Sequence, residues 1–207
     1  MFHLTKEGIP YGTIILGSRA TWLDRHAAEE LRSYVKKLSG AILIITHERY
    51  ASSIEGGKIL IGRASTSDIV GTFAAHHPGV LPEESDTEND CVAYAVRGDT
   101  LVISGSNDRS VYYSVCHLLQ TEFGVGFYWD RDVFEKKRSL SLPDGLTLQE
   151  RSEFKMRHTI GQWVYNYGAF LNEAERREEL DKYARNKINS YRLYSWNSYA
   201  RKKTFIE

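Results

Sequence analysis

Cys91-Val92-Ala93-Tyr94-Ala95-Val96-Arg97-Gly98-Asp99-Thr100-Leu101-Val102-Ile103-Ser104-Gly105-Ser106 decides how the chain folds. Two apolar, β-prone runs flank Arg97-Gly98-Asp99-Thr100, and Gly-Asp at the centre tolerates the positive φ of a tight hairpin. The second run leads into a helix predicted from near Arg109 to Phe123. Val111, Tyr112, Val115, Leu118, Leu119 and Phe123 lie along one face of it, and Gly124 stops it. A hairpin that runs straight into an amphipathic helix implies a sheet with a helix laid on one face.

Upstream, Thr13-Ile14-Ile15-Leu16, Ile42-Leu43-Ile44-Ile45 and Lys58-Ile59-Leu60-Ile61-Gly62 read as three more strands. Between the first two, Thr21 and Asp24 form a capping-box start. The helix that follows carries Ala27, Ala28, Leu31, Tyr34, Val35 and Leu38 on one stripe and stops at Gly40. From Phe73 to Asn89 periodicity disappears, and His76-His77-Pro78-Gly79 and Pro82-Glu83-Glu84-Ser85-Asp86 predict a loop. Downstream, Val125 to Trp129 reads as a strand. Residues 131–150 are charged and turn-rich, which predicts a domain boundary near 150.

Beyond Glu150, Phe154 to Gly161 reads as a strand and Gln162 to Phe170 as an aromatic-rich loop. Asn172, with Glu175 three residues on, caps a helix whose buried stripe is Leu180, Tyr183, Ala184 and Ile188. Tyr191-Arg192-Leu193-Tyr194 follows as a strand. Strand, helix and strand at this spacing make a βαβ unit with parallel strands. Two strands and one helix leave a sheet edge and a face bare, so residues 151–207 are expected to begin a second domain of a longer protein. The fold class expected is α/β (α+β): a mixed β-sheet with two helices packed on it, followed by the first βαβ of an incomplete barrel.

Composition narrows the function. The 207 residues are 42% hydrophobic and 26% charged, as in soluble globular proteins. Lys+Arg 27 balances Asp+Glu 27, so no basic excess attracts nucleic acid. No apolar run approaches the ~20 residues that span a bilayer. Met1-Phe2-His3-Leu4-Thr5-Lys6-Glu7 lacks the pattern of a signal peptide, so the expectation is a cytoplasmic chain without membrane partners. The oligomeric state stays open. Cys91 and Cys116 are too few for a disulfide framework and lack zinc-site spacing. No metal or cofactor is expected: His76 and His77 diverge without a third ligand, and Gly56-Gly57-Lys58 lacks the pattern of a phosphate loop. Gly105-Ser106-Asn107-Asp108 reads either as an anion cradle, as in a doubly wound nucleotide-binding domain, or as an ordinary strand-to-helix turn.

Three segments in order carry a family resemblance: Asp99-Thr100-Leu101-Val102-Ile103-Ser104-Gly105-Ser106, Phe154-Lys155-Met156-Arg157, and Leu180-Asp181-Lys182-Tyr183-Ala184-Arg185-Asn186-Lys187-Ile188-Asn189. Their sequence resembles the N-terminal parts of β-N-acetylhexosaminidases, α-glucuronidases and α-N-acetylglucosaminidases. In those glycoside hydrolases a non-catalytic α/β domain precedes a (β/α)8 barrel. The resemblance implies an accessory domain over residues 1–150, the truncated start of the barrel over 151–207, and a carbohydrate substrate. Phe154 and Arg157 match a Phe-x-x-Arg-Gly phrase whose Arg binds sugar hydroxyls. His158 replaces the Gly, and Gly161 stands where the hexosaminidases carry an acid, which argues against a true hexosaminidase.

Arg157 is therefore a candidate substrate-binding residue, with a surface or domain-junction ion pair as the other reading. Trp163, Asn166 and Trp196 fall in two loops that follow barrel-type strands, the end where barrel enzymes build their sites. Aromatic rings stack on sugar C–H faces and Asn offers a two-way amide. The same aromatics also suit packing at the barrel mouth. Glu83-Glu84 and Glu178-Glu179 read as surface charge, so no catalytic carboxylate pair is expected within the chain. It is expected to be the N-terminal portion of a glycoside hydrolase acting on amino-sugar or uronic-acid glycans. A stand-alone carbohydrate-binding or structural module is the alternative.

Overall fold

The computed structural model describes residues 1–160 and 172–192. It divides into two compact units, Met1–Lys155 and Met156–Glu207. In the first, a six-stranded mixed sheet contains β3 (Gly12–Leu16), β4 (Ile44–His47), β5 (Gly57–Ile61), β6 (Cys91–Arg97), β7 (Thr100–Gly105) and β11 (Thr147–Arg151). Its order is β11-β6-β7-β5-β3-β4. Strands β4, β3, β5 and β7 run parallel, while β6 pairs antiparallel with β7 and with β11. The quoted hairpin is thus the hinge of the sheet, where parallel pairing gives way to antiparallel.

Alternation sorts the two faces. Ile15, Leu60, Val102 and Ala95 pack with Val70 and Phe73 of α2 (Asp68–His76). The opposite face carries Ile14, Ile59, Leu101 and Ile103, all buried, on the side of α1 (Trp22–Ser39) and α3 (Asp108–Thr121). α1 starts at the Thr21–Asp24 capping box and ends at Gly40 in the left-handed conformation. α3 approaches the sheet so closely that Ser114 Oγ donates to Ser104 O at 2.5 Å and accepts from Ala93 N at 3.0 Å. A second sheet, β10-β1-β2, joins β1 (Phe2–Lys6), β2 (Ile9–Pro10) and β10 (Leu140–Leu142). Phe2 of β1 lies against Gly57, where an added Cβ would sit 2.9 Å from its ring. A short hairpin, β8 (Gly126–Phe127) with β9 (Asp132–Val133), completes the unit.

Several expectations change. The stretch read as a loop begins inside α2, which Ser67 caps and which buries Val70 and Phe73. Nine residues with two buried positions are too few to raise a periodic signal. Three helices, not two, therefore pack on the sheet. The fourth strand begins at Ile44 rather than Ile42, leaving Ile42 and Ile44 exposed on the open edge. The turn-rich stretch 131–150 contains β10 and β11, and β11 closes the edge beside β6.

The second unit holds β12 (His158–Ile160), α4 (Glu173–Arg185) and β13 (Ser190–Arg192). β12 and β13 pair in parallel, His158 with Ser190 and Ile160 with Arg192. Asn172 and Glu175 make the capping box of α4 as expected. The buried stripe is not found: no residue of α4 is buried, and Leu180 is half exposed. No helix among the described residues is long and apolar enough to cross a membrane.

Candidate functional site

In open α/β sheets, ligands bind beyond the carboxyl ends of the strands where the strand order reverses. Here the chain leaves β3 for β4 on one side and returns to β5 on the other, so that crevice lies beyond Leu16 and Ile61. The protein's own side chains fill it. Glu48 Oε1 accepts from Ser18 N at 2.5 Å, and Oε2 accepts from Ser67 Oγ at 2.8 Å, Asp68 N at 2.9 Å and Ile69 N at 3.3 Å. A carboxylate thus occupies the anion position at the N-terminus of α2. Burial alone would raise its pKa, but donors from Ser18, Ser67 and the Ile69 amide outweigh that and bring it down to about 2. Beside it, Arg63 pairs with Glu84 at 3.1 Å and with Asp108, while Ser65 N donates to Glu84 Oε1 at 2.9 Å.

The Gly105 turn is closed in the same way. Asn107 and Ser110 satisfy each other in a capping box, and buried Asp90 accepts from Asn107 Nδ2 and Arg109 Nε, both at 2.8 Å. With Asn107 and Ser110 bonded to each other, Asp90 paired with Arg109 and Asp108 paired with Arg63, the turn's polar groups are taken up internally, which favours the ordinary strand-to-helix reading over the anion cradle. Neither Glu48 nor Glu84 is placed for acid–base work, because donors saturate both. Sequence spacing gives no hint of this network, whose members are separated by 19 to 45 residues.

The network has a measurable consequence. With a pKa near 2 in the fold against 4.5 when unperturbed, Glu48 stabilises the protein above about pH 4.5, and that contribution is lost as pH falls towards 2. Glu48→Ala is expected to cost about 2 kcal/mol at pH 7, allowing for screening at a partly exposed site. Urea denaturation across pH should show the gap between the two proteins closing by about pH 2. A gap that does not change with pH overturns this account.

In the second unit Arg157 immediately precedes β12. Its N donates to Asn189 Oδ1 at 2.8 Å and its Nε to Lys187 O at 2.5 Å, and its carbonyl accepts from Asn189 N and Ser190 N, each at 3.2 Å. Lys187 is held in the left-handed region, with φ of 60°. His158 Nδ1 lies 3.1 Å from Ser190 Oγ on the neighbouring strand. Arg157 therefore stands at the N-terminal ends of the two parallel strands. Trp163, Asn166 and Trp196 lie outside the described residues; in sequence they follow the C-terminal ends of β12 and β13. Among the described residues no group of three or more His, Cys, Asp or Glu gathers to hold a metal.

No protein-family model matches the chain, and no curated protein matches it. Solved structures do. A family GH115 4-O-methyl-α-glucuronidase with specificity for decorated arabinogalactans aligns with 92% of this chain at a TM-score of 0.69 and 15% identity. CpGH89 from Clostridium perfringens, in complex with its substrate GlcNAc-α-1,4-galactose, aligns with 84% at 0.50 and 14% identity. CpGH84B aligns with 95% at 0.52 and 17% identity. The chain spans 25%, 16% and 28% of the lengths of these proteins. Over most of its length it shares the mixed α/β fold of a segment of glycoside hydrolases.

Proposed function

We propose that the chain is the N-terminal portion of a carbohydrate-active glycoside hydrolase acting on amino-sugar or uronic-acid glycans. On this reading residues 1–155 form a non-catalytic accessory domain, and β12–α4–β13 is the first βαβ of a (β/α)8 barrel. The carrying observation is the reach of the fold likeness. The 92% covered by the glucuronidase alignment exceeds the share of the chain that residues 1–155 make up, so the likeness continues into the βαβ unit. Trp163, Asn166 and Trp196 are assigned to sugar binding because in sequence they follow β12 and β13, the end at which barrel enzymes build their sites. Arg157, at the amino ends of the same strands, is a positioning residue that holds the loop leading into β13. The catalytic carboxylates are assigned to later barrel strands, as the family resemblance implies; within the accessory domain's crevice Glu48 and Glu84 are held by internal donors.

The test uses 4-nitrophenyl glycosides of N-acetylglucosamine and glucuronic acid. The 207-residue chain is expected to give no turnover, and the gene product that carries it with whatever follows Glu207 is expected to hydrolyse one of them. Turnover by the chain alone, abolished by replacing one of its carboxylates, overturns the fragment reading. Glycan binding without hydrolysis by the longer product favours a binding module instead.

A further inference from the structure

The six-stranded sheet ends on β4, and among the described residues nothing pairs with the outer side of that strand. An edge strand presents a row of unpaired N–H and C=O groups, and natural proteins blunt such edges with charges, proline or a bulge. The opposite edge of this sheet is blunted: β11 ends in Glu150 and Arg151, both exposed. β4 is not. Ile44-Ile45-Thr46-His47 holds no lysine, acid, proline or glycine, and its first three residues are β-branched, the type that suits a strand. Its pairing with β3 is regular from Thr13–Ile44 to Leu16–His47, without a bulge that would turn the edge away.

The helix beside the strand says which partner fits. Glu29, Arg32, Ser33 and Lys36 of α1 line a groove of about 400 Å3 together with Ile42, two residues before β4. The acid stands at one end of that row and the lysine at the other, while Arg32 near the middle is paired with Glu29 at 2.5 Å. A two-fold axis perpendicular to the sheet pairs β4 antiparallel with its copy and keeps both α1 helices on one face, running in opposite directions. Each end of the row then meets the opposite end of its copy: Glu29 turns toward the partner's Lys36, and Lys36 toward the partner's Glu29. The row is complementary to itself, which a strand from an unrelated protein of one charge sign does not match.

We propose that β4 is a dimer interface: two copies of the chain join edge to edge through antiparallel β4 strands, with the Glu29 and Lys36 ends of the two α1 rows facing each other across the two-fold. Four residues of backbone pairing make a small contact, which places the Kd in the micromolar range. The interface does not depend on hydrolysis, so its failure and that of the glycosidase reading are separately visible.

Sedimentation equilibrium of the 207-residue chain should show a monomer–dimer equilibrium. Ile44→Lys changes a side chain that is 65% exposed, so the monomer should stay folded while the dimer weakens at least tenfold. Glu29→Lys and Lys36→Glu should each weaken the dimer threefold or more, and the two reversals combined should restore it. In the gene product that carries the chain, a photocrosslinker at residue 44 should join two copies. The proposal is overturned if the chain stays monomeric at millimolar concentration, or if Ile44→Lys dimerises normally. It is equally overturned if the combined reversal is no tighter than either single one, or if the crosslink lands on a later segment of the same copy.

Discussion

Gly17→Ala is expected to lower the unfolding free energy by more than 3 kcal/mol, beyond the usual cost of overpacking. An added Cβ at residue 17 would lie 2.1 Å from Thr66 O, 2.5 Å from Ser67 Cβ and 2.6 Å from Ser67 Cα. None of these atoms is the tip of a flexible side chain. Thr66 O already accepts from Arg19 N at 3.1 Å, and Ser67 N donates to Arg63 O at 2.9 Å. Ser67 also caps α2 and donates to Glu48, so moving it releases the helix cap and the carboxylate together. Each lost cap or buried hydrogen bond adds about 1 kcal/mol to the steric cost. Against a typical total of roughly 5–15 kcal/mol, the variant should be largely unfolded near its former midpoint. Gly40→Ala is the control. Gly40 has φ of 84° with no atom within 4 Å of an added Cβ, so only the left-handed strain applies, about 1–2 kcal/mol. Urea denaturation followed by circular dichroism compares them directly. If Gly17→Ala costs no more than Gly40→Ala, the close approach of the two loops is not what holds the crevice shut.

Elements set by neighbouring residues are legible in the sequence, and those set by distant partners are not. Local rules set the β6–β7 hairpin, the Thr21–Asp24 box and the stop at Gly40, and those elements stand where the residues put them. β1 is equally readable: Phe2 and Leu4 alternate as buried positions before the Glu7-Gly8 turn. β10 and β11 are not, because short strands at sheet edges owe their place to pairing partners far away, Leu142 with Phe2 and Thr147 with Ala95. The crevice is the extreme case. Ser18, Glu48 and Ser67 are unremarkable in sequence, and only the parallel alignment of β3, β4 and β5 brings them to one carboxylate. Spacing from Phe154 points to Arg157. That spacing says nothing of Asn189, whose side chain returns across a helix to accept from the Arg157 amide.

That contact decides what removing Arg157 should do in the gene product carrying the whole chain. Arg157→Ala is expected to lower kcat/KM by roughly ten- to a hundredfold, the value of a hydrogen bond to a charged group, about 1.5–3 kcal/mol. Two routes lead to a loss of that size, and they differ in what else changes. If Arg157 touches the sugar, its removal weakens substrate binding, amide exchange around it is unaltered, and Asn189→Ala is nearly silent. If Arg157 holds the strand ends, its removal frees the Lys187 carbonyl, which accepts from Nε at 2.5 Å, and unsettles a lysine kept at φ of 60°. The amides of Asn189 and Ser190, which donate to the Arg157 carbonyl at 3.2 Å, should then exchange faster. Asn189→Ala, which removes the acceptor 2.8 Å from Arg157 N, should reproduce most of the loss. Arg157→Lys should rescue little in either case, since an ammonium cannot copy the direction of Nε. The geometry favours the second pattern: kcat falling with kcat/KM, faster exchange at residues 189 and 190, and a matching Asn189→Ala. Unchanged exchange with a rise in KM alone returns Arg157 to the sugar. Unchanged activity with unchanged exchange removes it from the site altogether.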